Sequence, residues 1–220
     1  MIIVFGILIC LSGIAIIMLI SEFLWRTRLF KDAETSRKVA HIAIGVFIAF
    51  WPLFISFNWI KLLSLLLFLI VLASKQLHIF RSIHSVRRLT YGELFFPLGV
   101  FLSAQLANSG WIYMAAVLHL SLADGFAALI GVHFTHTFGY KIFGQVKTVI
   151  GTITFYLTSV CIIAATMHFD PAAYSTTAPY VVLILPIVTT AIENAGIYGS
   201  DNLLVPATVI VILGSLRLVS

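Results

Sequence analysis

Eight apolar runs govern what this chain can fold into. They lie near residues 2–20, 39–57, 60–74, 93–108, 111–131, 148–167, 180–198 and 203–218. A helix needs about 20 residues to cross the hydrocarbon core. In lipid every backbone polar group must be satisfied internally, so only helices and closed barrels span. Barrel strands would show alternating segments of about ten residues, and this pattern is absent. The runs predict an all-α integral membrane protein with about eight transmembrane helices. The third and eighth runs are short, so seven or nine spans also fit. Only 10% of residues are charged, against about 25% in a soluble domain. Residues 1–220 are therefore expected to form a single membrane domain. Met1 to Ile20 has no Lys or Arg ahead of it, unlike a cleaved signal peptide, and is read as a retained helix. Cys10 and Cys161 lie within apolar runs and read as packed thiols rather than as a disulfide or metal ligands.

The net charge of +5 could suggest nucleic acid, but the charges sort by membrane side. With eight spans, alternate connections share a face. One face receives Arg26, Arg28, Lys31, Arg37 and Lys38, then Lys75, Arg81, Arg87 and Arg88, then Lys141 and Lys147. These are 11 of the 13 basic residues; the other face receives Lys61 and Arg217. The positive-inside rule makes the basic face cytoplasmic, and both termini are then predicted outside. Residues 75–90 read either as a basic amphipathic helix in the headgroup region or as a solvated loop.

Against this apolar background, Asp124 is costly. An ionised group inside a span costs roughly 3 kcal/mol on insertion scales and marks a functional candidate. Ala123, Ala127 and Gly131 form a small-residue face beside it, which lets another helix approach closely. Arg37, His41 and Gly45 share a helix face by their spacing of four, with Lys38 adjacent. Arg37 and Lys38 also read as interfacial charges that snorkel. Arg88 precedes Thr90-Tyr-Gly92-Glu93, and Glu93 also suits a helix N-terminus. Gly139, Lys141, Gly144, Lys147 and Thr148 form a glycine-lysine loop that could line an anion, without a Walker pattern. Glu193 and Asp201 close the set, although Asp201 and Asn202 also suit a helix cap. His119 reads as a satisfied core histidine.

Carboxylates hold Mg²⁺ through one or two ligands, with substrate phosphates completing the shell. The candidate metal ligands are Asp124, Glu93, Glu193 and Asp201; the bases Arg37, Lys38, Arg88, Lys141 and Lys147 are candidates for phosphate. The combination predicts phosphoryl or nucleotidyl transfer at the cytoplasmic membrane face.

At these residues the chain resembles the polyprenol kinase family, which includes dolichol kinase, phytol kinase and the CTP-dependent diacylglycerol kinase. The likeness runs from about Glu34 to Pro206. It rests on Arg37-Lys38-x-x-His41 with Gly45, Arg88-x-Thr90-x-Gly92-Glu93 and Asp124-Gly125-x-Ala127 with Gly131. It continues through Gly139, Lys141, Lys147-Thr148-x-x-Gly151, Glu193 and Asp201-Asn202-Leu-x-x-Pro206. The resemblance implies transfer of a nucleotide γ-phosphate, typically from CTP and with a divalent metal, to the hydroxyl of a lipid alcohol. By the same likeness Asp124 binds metal or orients the hydroxyl, and Lys141 and Lys147 contact nucleotide phosphates, with Gly139 and Thr148 in the same segment. His41 is expected as a secondary contact to phosphate or hydroxyl, within the catalytic group of Asp124, Lys147 and His41. Many relatives carry Glu where this chain has Ile150. The His-Gly-Gly-x-x-Asp-Arg signature of cytidylyltransferases is absent, which favours kinase. An ion-coupled transporter is the rival class, since intramembrane acids also mark ion paths; no internal repeat supports it.

Overall fold

The computed structural model describes residues 2–27, 29, 33–77, 91–134, 138–170 and 178–219. In chain order it contains α1 (Ile2–Arg26), α2 (Ala33–Ala49), α3 (Phe57–Gln76), α4 (Gly92–Leu106), α5 (Gly110–Leu118) and α6 (Asp124–Gly131). Two short strands follow, β1 (Gly139–Ile142) and β2 (Gln145–Thr148), and then α7 (Val149–Phe169), α8 (Ala178–Ala195) and α9 (Asp201–Val219). A π-helical turn, His119–Ala123, joins α5 to α6 in one continuous rod.

Among the described residues, four stretches are long and apolar enough to cross a membrane: Ile3–Arg26, Phe57–Ser74, Gly110–Phe134 and Val149–Phe169. Gly92–Leu106 and Tyr180–Ala195 are shorter apolar helices. Large apolar side chains stay exposed along the outer helices, including Phe5, Leu19 and Phe23 on α1 and Ile184 and Ile187 on α8. Water would penalise such a surface, whereas lipid is its natural solvent. The chain is a helical integral membrane protein.

The central rod is the hub. Ile112, Tyr113, Ala115, Ala116 and Val117 are buried on it, with Trp51, Phe155 and Leu213 packed in the same core. Ser109 caps α5 by accepting from the Ile112 amide at 3.2 Å.

Contacts fix the direction of each rod. At one end Lys38 of α2 meets Asp124, Thr148 opens α7 beside Gly131, and Asn202 of α9 donates to the Gly92 carbonyl that opens α4. At the other end the Tyr113 hydroxyl donates to the Ile48 carbonyl, and Trp111 stacks on Phe169. Arg217 of α9 pairs there with Asp170 at 2.9 Å. A Cβ on Gly6 of α1 would fall 2.5 Å from the Phe54 carbonyl oxygen, just past the end of α2. The start of α1 and the end of α9 therefore share the end opposite Asp124.

The helical membrane class holds, with one addition: the glycine-lysine loop is a two-stranded antiparallel hairpin. Its tight turn, Phe143-Gly144, has φ of 47° and 78°. Both central residues at positive φ give the hairpin turn that matches strand twist, and glycine takes this conformation readily. Of the two free cysteines, Cys10 is packed, but Cys161 is exposed on α7. The proposed helix or loop at 75–90 lies largely outside the described residues, as does Arg88.

Candidate active site

The π turn creates the first half of the site. Its extra residue shifts the hydrogen-bond ladder, so the Asp124 amide bonds to the carbonyls of His119 and Ser121. The Leu120 carbonyl is passed over by that amide, and His41 Nε2 takes it at 2.9 Å. A carbonyl only accepts, so Nε2 carries the hydrogen and donates. The same nitrogen lies 3.4 Å from Asp124 Oδ2. Lys38 Nζ donates to Asp124 Oδ2 at 2.5 Å, in a pair exposed only 7% and 14%. Thus Lys38 and His41, one helical turn apart on α2, both engage the buried acid.

Glycines permit this approach. A Cβ on Gly45 would fall 2.1 Å from Ser121 Cβ, and one on Gly125 would fall 2.2 Å from Ile42 Cγ1. On the other side of the rod, a Cβ on Gly151 would fall 2.9 Å from the Ala127 carbonyl oxygen, bringing α7 against the face of Ala127 and Gly131. The small-residue face therefore serves helix packing, as its spacing suggests.

The hairpin supplies the second half. Register pairs Tyr140 with Lys147 and Lys141 with Val146, on opposite faces. Lys147 faces inward and forms an ion pair with the Glu193 side chain. It also donates to the Glu193 carbonyl at 3.0 Å. Burial opposes the charge on Lys147, but the Glu193 carboxylate, with Asp201 and Asp124 beyond it, raises its pKa above the ordinary lysine value. Beside it, Tyr140 contacts Thr152 Oγ1 at 2.6 Å and donates to Asn194 Oδ1 at 2.5 Å.

Asp124, Glu193 and Asp201 converge: one ligand oxygen from each lies within 4.8 Å of the others. They line a crevice closed by His119, Leu120, Phe155 and Val205. Gly196 makes room for the turn, since a Cβ there would fall 2.8 Å from Asp201 Cβ. Asp201 Oδ1 is buried without a hydrogen-bond partner among the described residues. Three hard carboxylate donors, one with an unsatisfied oxygen, fit a divalent cation of the magnesium type. Lys38 and Lys147 offset part of the negative charge.

Other candidates stand apart from this cluster. Lys141 is exposed on the outer face of the hairpin, and Gly139 is exposed at its base. Thr148 caps α7 by accepting from the Gly151 amide at 3.0 Å. Glu93 sits half-buried in the first turn of α4, outside the acid triplet. Arg37 is buried on α2 next to Lys38. His119 is satisfied in the core: Nδ1 donates to the Ala115 carbonyl at 2.8 Å, so Nε2 accepts from Ser159 at 2.7 Å. The sequence reading missed Tyr140 and Thr152. Their signal was the turn itself: Tyr140 and Lys147 are equidistant from Phe143-Gly144, so a hairpin there puts them side by side.

A helical membrane protein with buried acids and lysines gathered at one end of its bundle suits chemistry on a lipid at the membrane boundary. Comparison gives the class a family. The chain is 33% identical to the phytol kinase of Synechocystis sp. over 202 residues, spanning 86% of this chain and 82% of that protein. It belongs to the polyprenol and phytol kinase family of lipid-alcohol kinases. No family model matches the chain, and no solved structure matches it.

Proposed function

We propose that this protein transfers the γ-phosphate of a nucleotide, CTP in the first instance, to the hydroxyl of an isoprenoid alcohol or diacylglycerol. The observation that carries the reading is the meeting of Asp124, Glu193 and Asp201 with Lys38 and Lys147 inside a membrane bundle. An eight-span chain with both termini outside puts this end of the bundle at the cytoplasmic face, where a soluble nucleotide meets a bilayer-dissolved alcohol.

In the reaction the acceptor O–H bond breaks and a bond forms from that oxygen to the γ-phosphorus. The bond from the γ-phosphorus to the oxygen that bridges to the β-phosphate breaks, and the nucleoside diphosphate leaves. Such transfer depends on positioning and charge stabilisation rather than covalent help from the protein. Asp124, Glu193 and Asp201 are the residues that would hold Mg²⁺, which when bound neutralises phosphate charge. Lys38 and Lys147 supply cationic contacts for the phosphates, with Arg37 beside Lys38. Asp124 either holds metal or accepts the hydroxyl proton. His41 supports it by fixing the passed-over Leu120 carbonyl and lying against its carboxylate.

The test is phosphorylation of a panel of lipid alcohols by purified protein with γ-labelled CTP or ATP, the lipid products being resolved by chromatography. Labelled lipid phosphate that disappears on metal chelation and returns with Mg²⁺ is expected. Labelled inorganic phosphate alone, or full turnover after chelation, would refute the reading. Proton-dependent uptake into proteoliposomes without nucleotide turnover would favour a transporter.

A further inference from the structure

We propose that Tyr140 is a positioning residue that holds Lys147 at the phosphate site, an inference that rests on the kinase reading above. A two-stranded hairpin is marginal in isolation, so the place of β1–β2 must come from what it docks on. Its outer face and tip offer little: Phe143 is 72% exposed and Val146 52%. On the inner face, Tyr140 and Lys147 are direct cross-strand partners. They engage consecutive residues at the end of α8, Tyr140 taking Asn194 and Lys147 taking Glu193. The hairpin is thus tied to α8 at two adjacent points.

Tyr140, Thr152 and Asn194 Oδ1 make three mutual contacts, at 2.6, 2.5 and 3.2 Å. Two hydroxyl protons can fill only two of them. The shorter two are filled when Thr152 donates to Tyr140 and Tyr140 donates to Asn194. Tyr140 is then the central member of a chain that links α7, the hairpin and α8. Lys147 has three N–H bonds, and Glu193 takes two, one on its carbonyl and one on its carboxylate. A nucleotide phosphate competes with the carboxylate for this ammonium. The Tyr140 tie does not depend on that contest. It holds the hairpin on α8 while Lys147 changes partner.

The experiment compares the full-length protein with Tyr140→Phe, Asn194→Ala, their double variant and Lys147→Met. Steady-state kinetics use magnesium CTP and phytol, with thermal unfolding measured alongside. Tyr140→Phe is expected to raise the KM for nucleotide about ten-fold, the equilibrium worth of roughly one hydrogen bond. The KM for lipid, kcat and Tm stay near wild type. Asn194→Ala behaves alike, and the double variant is no worse than either single, as residues acting through one tie are non-additive. An unchanged nucleotide KM in Tyr140→Phe, or a uniform loss of kcat with a lowered Tm, overturns the proposal. Lys147→Met separates the two possible failures. A large KM rise there with none in Tyr140→Phe removes only the role of Tyr140. No rise in Lys147→Met removes the phosphate role of Lys147 and the proposal with it.

Discussion

Lys38 and Asp124 are the residue pair where structure and chemistry can be separated. Both are largely buried and joined at 2.5 Å. Removing one partner of a buried pair leaves an uncompensated charge and costs about 3–5 kcal/mol, whereas removing both is often far milder. Asp124→Asn is therefore expected to lower stability and to cut phosphotransfer on the order of 10²-fold or more. Adding Lys38→Met to Asp124→Asn should recover most of the stability and none of the activity. Thermal unfolding beside a turnover assay reads both, and recovered turnover in the double variant would assign Asp124 to structure alone. Lys147 makes a different prediction, about pH. Its pKa lies above the ordinary lysine value, so the contribution of its charge is complete below that ordinary value. It is lost only as pH rises through the higher folded one. The KM for nucleotide should therefore show no lysine inflection up to about pH 9. An inflection below that pH in wild type that Lys147→Arg abolishes would contradict the pairing with Glu193. Asp124 was legible in the sequence because a charge in an apolar run is conspicuous, whereas Lys38 stood out only as a base beside the Arg37-His41 helix face, with nothing to pair it with Asp124. The Leu120 carbonyl was not legible, because only the shifted ladder of the π turn releases it.

Elements reach the site through close approach. Gly45 and Gly125 let α2 lie against the π turn, and this sets Lys38 and His41 over Asp124. Gly45→Ala drives a Cβ to within 2.1 Å of Ser121 Cβ, an atom with no freedom to move aside. Overpacking of this kind costs typically about 1–3 kcal/mol, and activity should fall as α2 withdraws. Ser121→Gly removes the obstructing atom, so the pair Gly45→Ala/Ser121→Gly should regain activity that Gly45→Ala loses. Equal activity in Gly45→Ala and wild type would show that α2 does not need this contact. The long apolar helices were legible from hydropathy, because lipid leaves a helix few alternatives. The hairpin was not, since its strands of four residues are too short for periodicity to register against the loop reading. Its turn residues, Phe143-Gly144, carried the signal instead.

At the scale of the whole molecule, the acid cluster and the outer ends of α1 and α9 lie at opposite ends of the bundle. Asp124, Glu193 and Asp201 gather where α6 begins, α8 ends and α9 begins. The end of α9 is held at the opposite pole by Arg217 on Asp170, and the start of α1 packs against Phe54 there. This arrangement holds whichever face is cytoplasmic. The distribution of bases carries the expectation of eight alternating spans, because each crossing reverses the chain and bases stay on one side. The arrangement yields a prediction independent of absolute orientation. In sealed vesicles with the protein inserted one way, added nucleotide reaches the acid cluster from one face, and a protease removes a C-terminal tag only from the other. Vesicles that turn over external nucleotide should protect the tag, and permeabilisation should expose it without raising turnover. Tag cleavage in intact vesicles that consume external nucleotide would mean that the site and the end of α9 share a face. That would require an odd number of crossings between Asp201 and the opposite pole to be lost, and the direction of α9 fixed by Arg217 and Asp170 would be wrong.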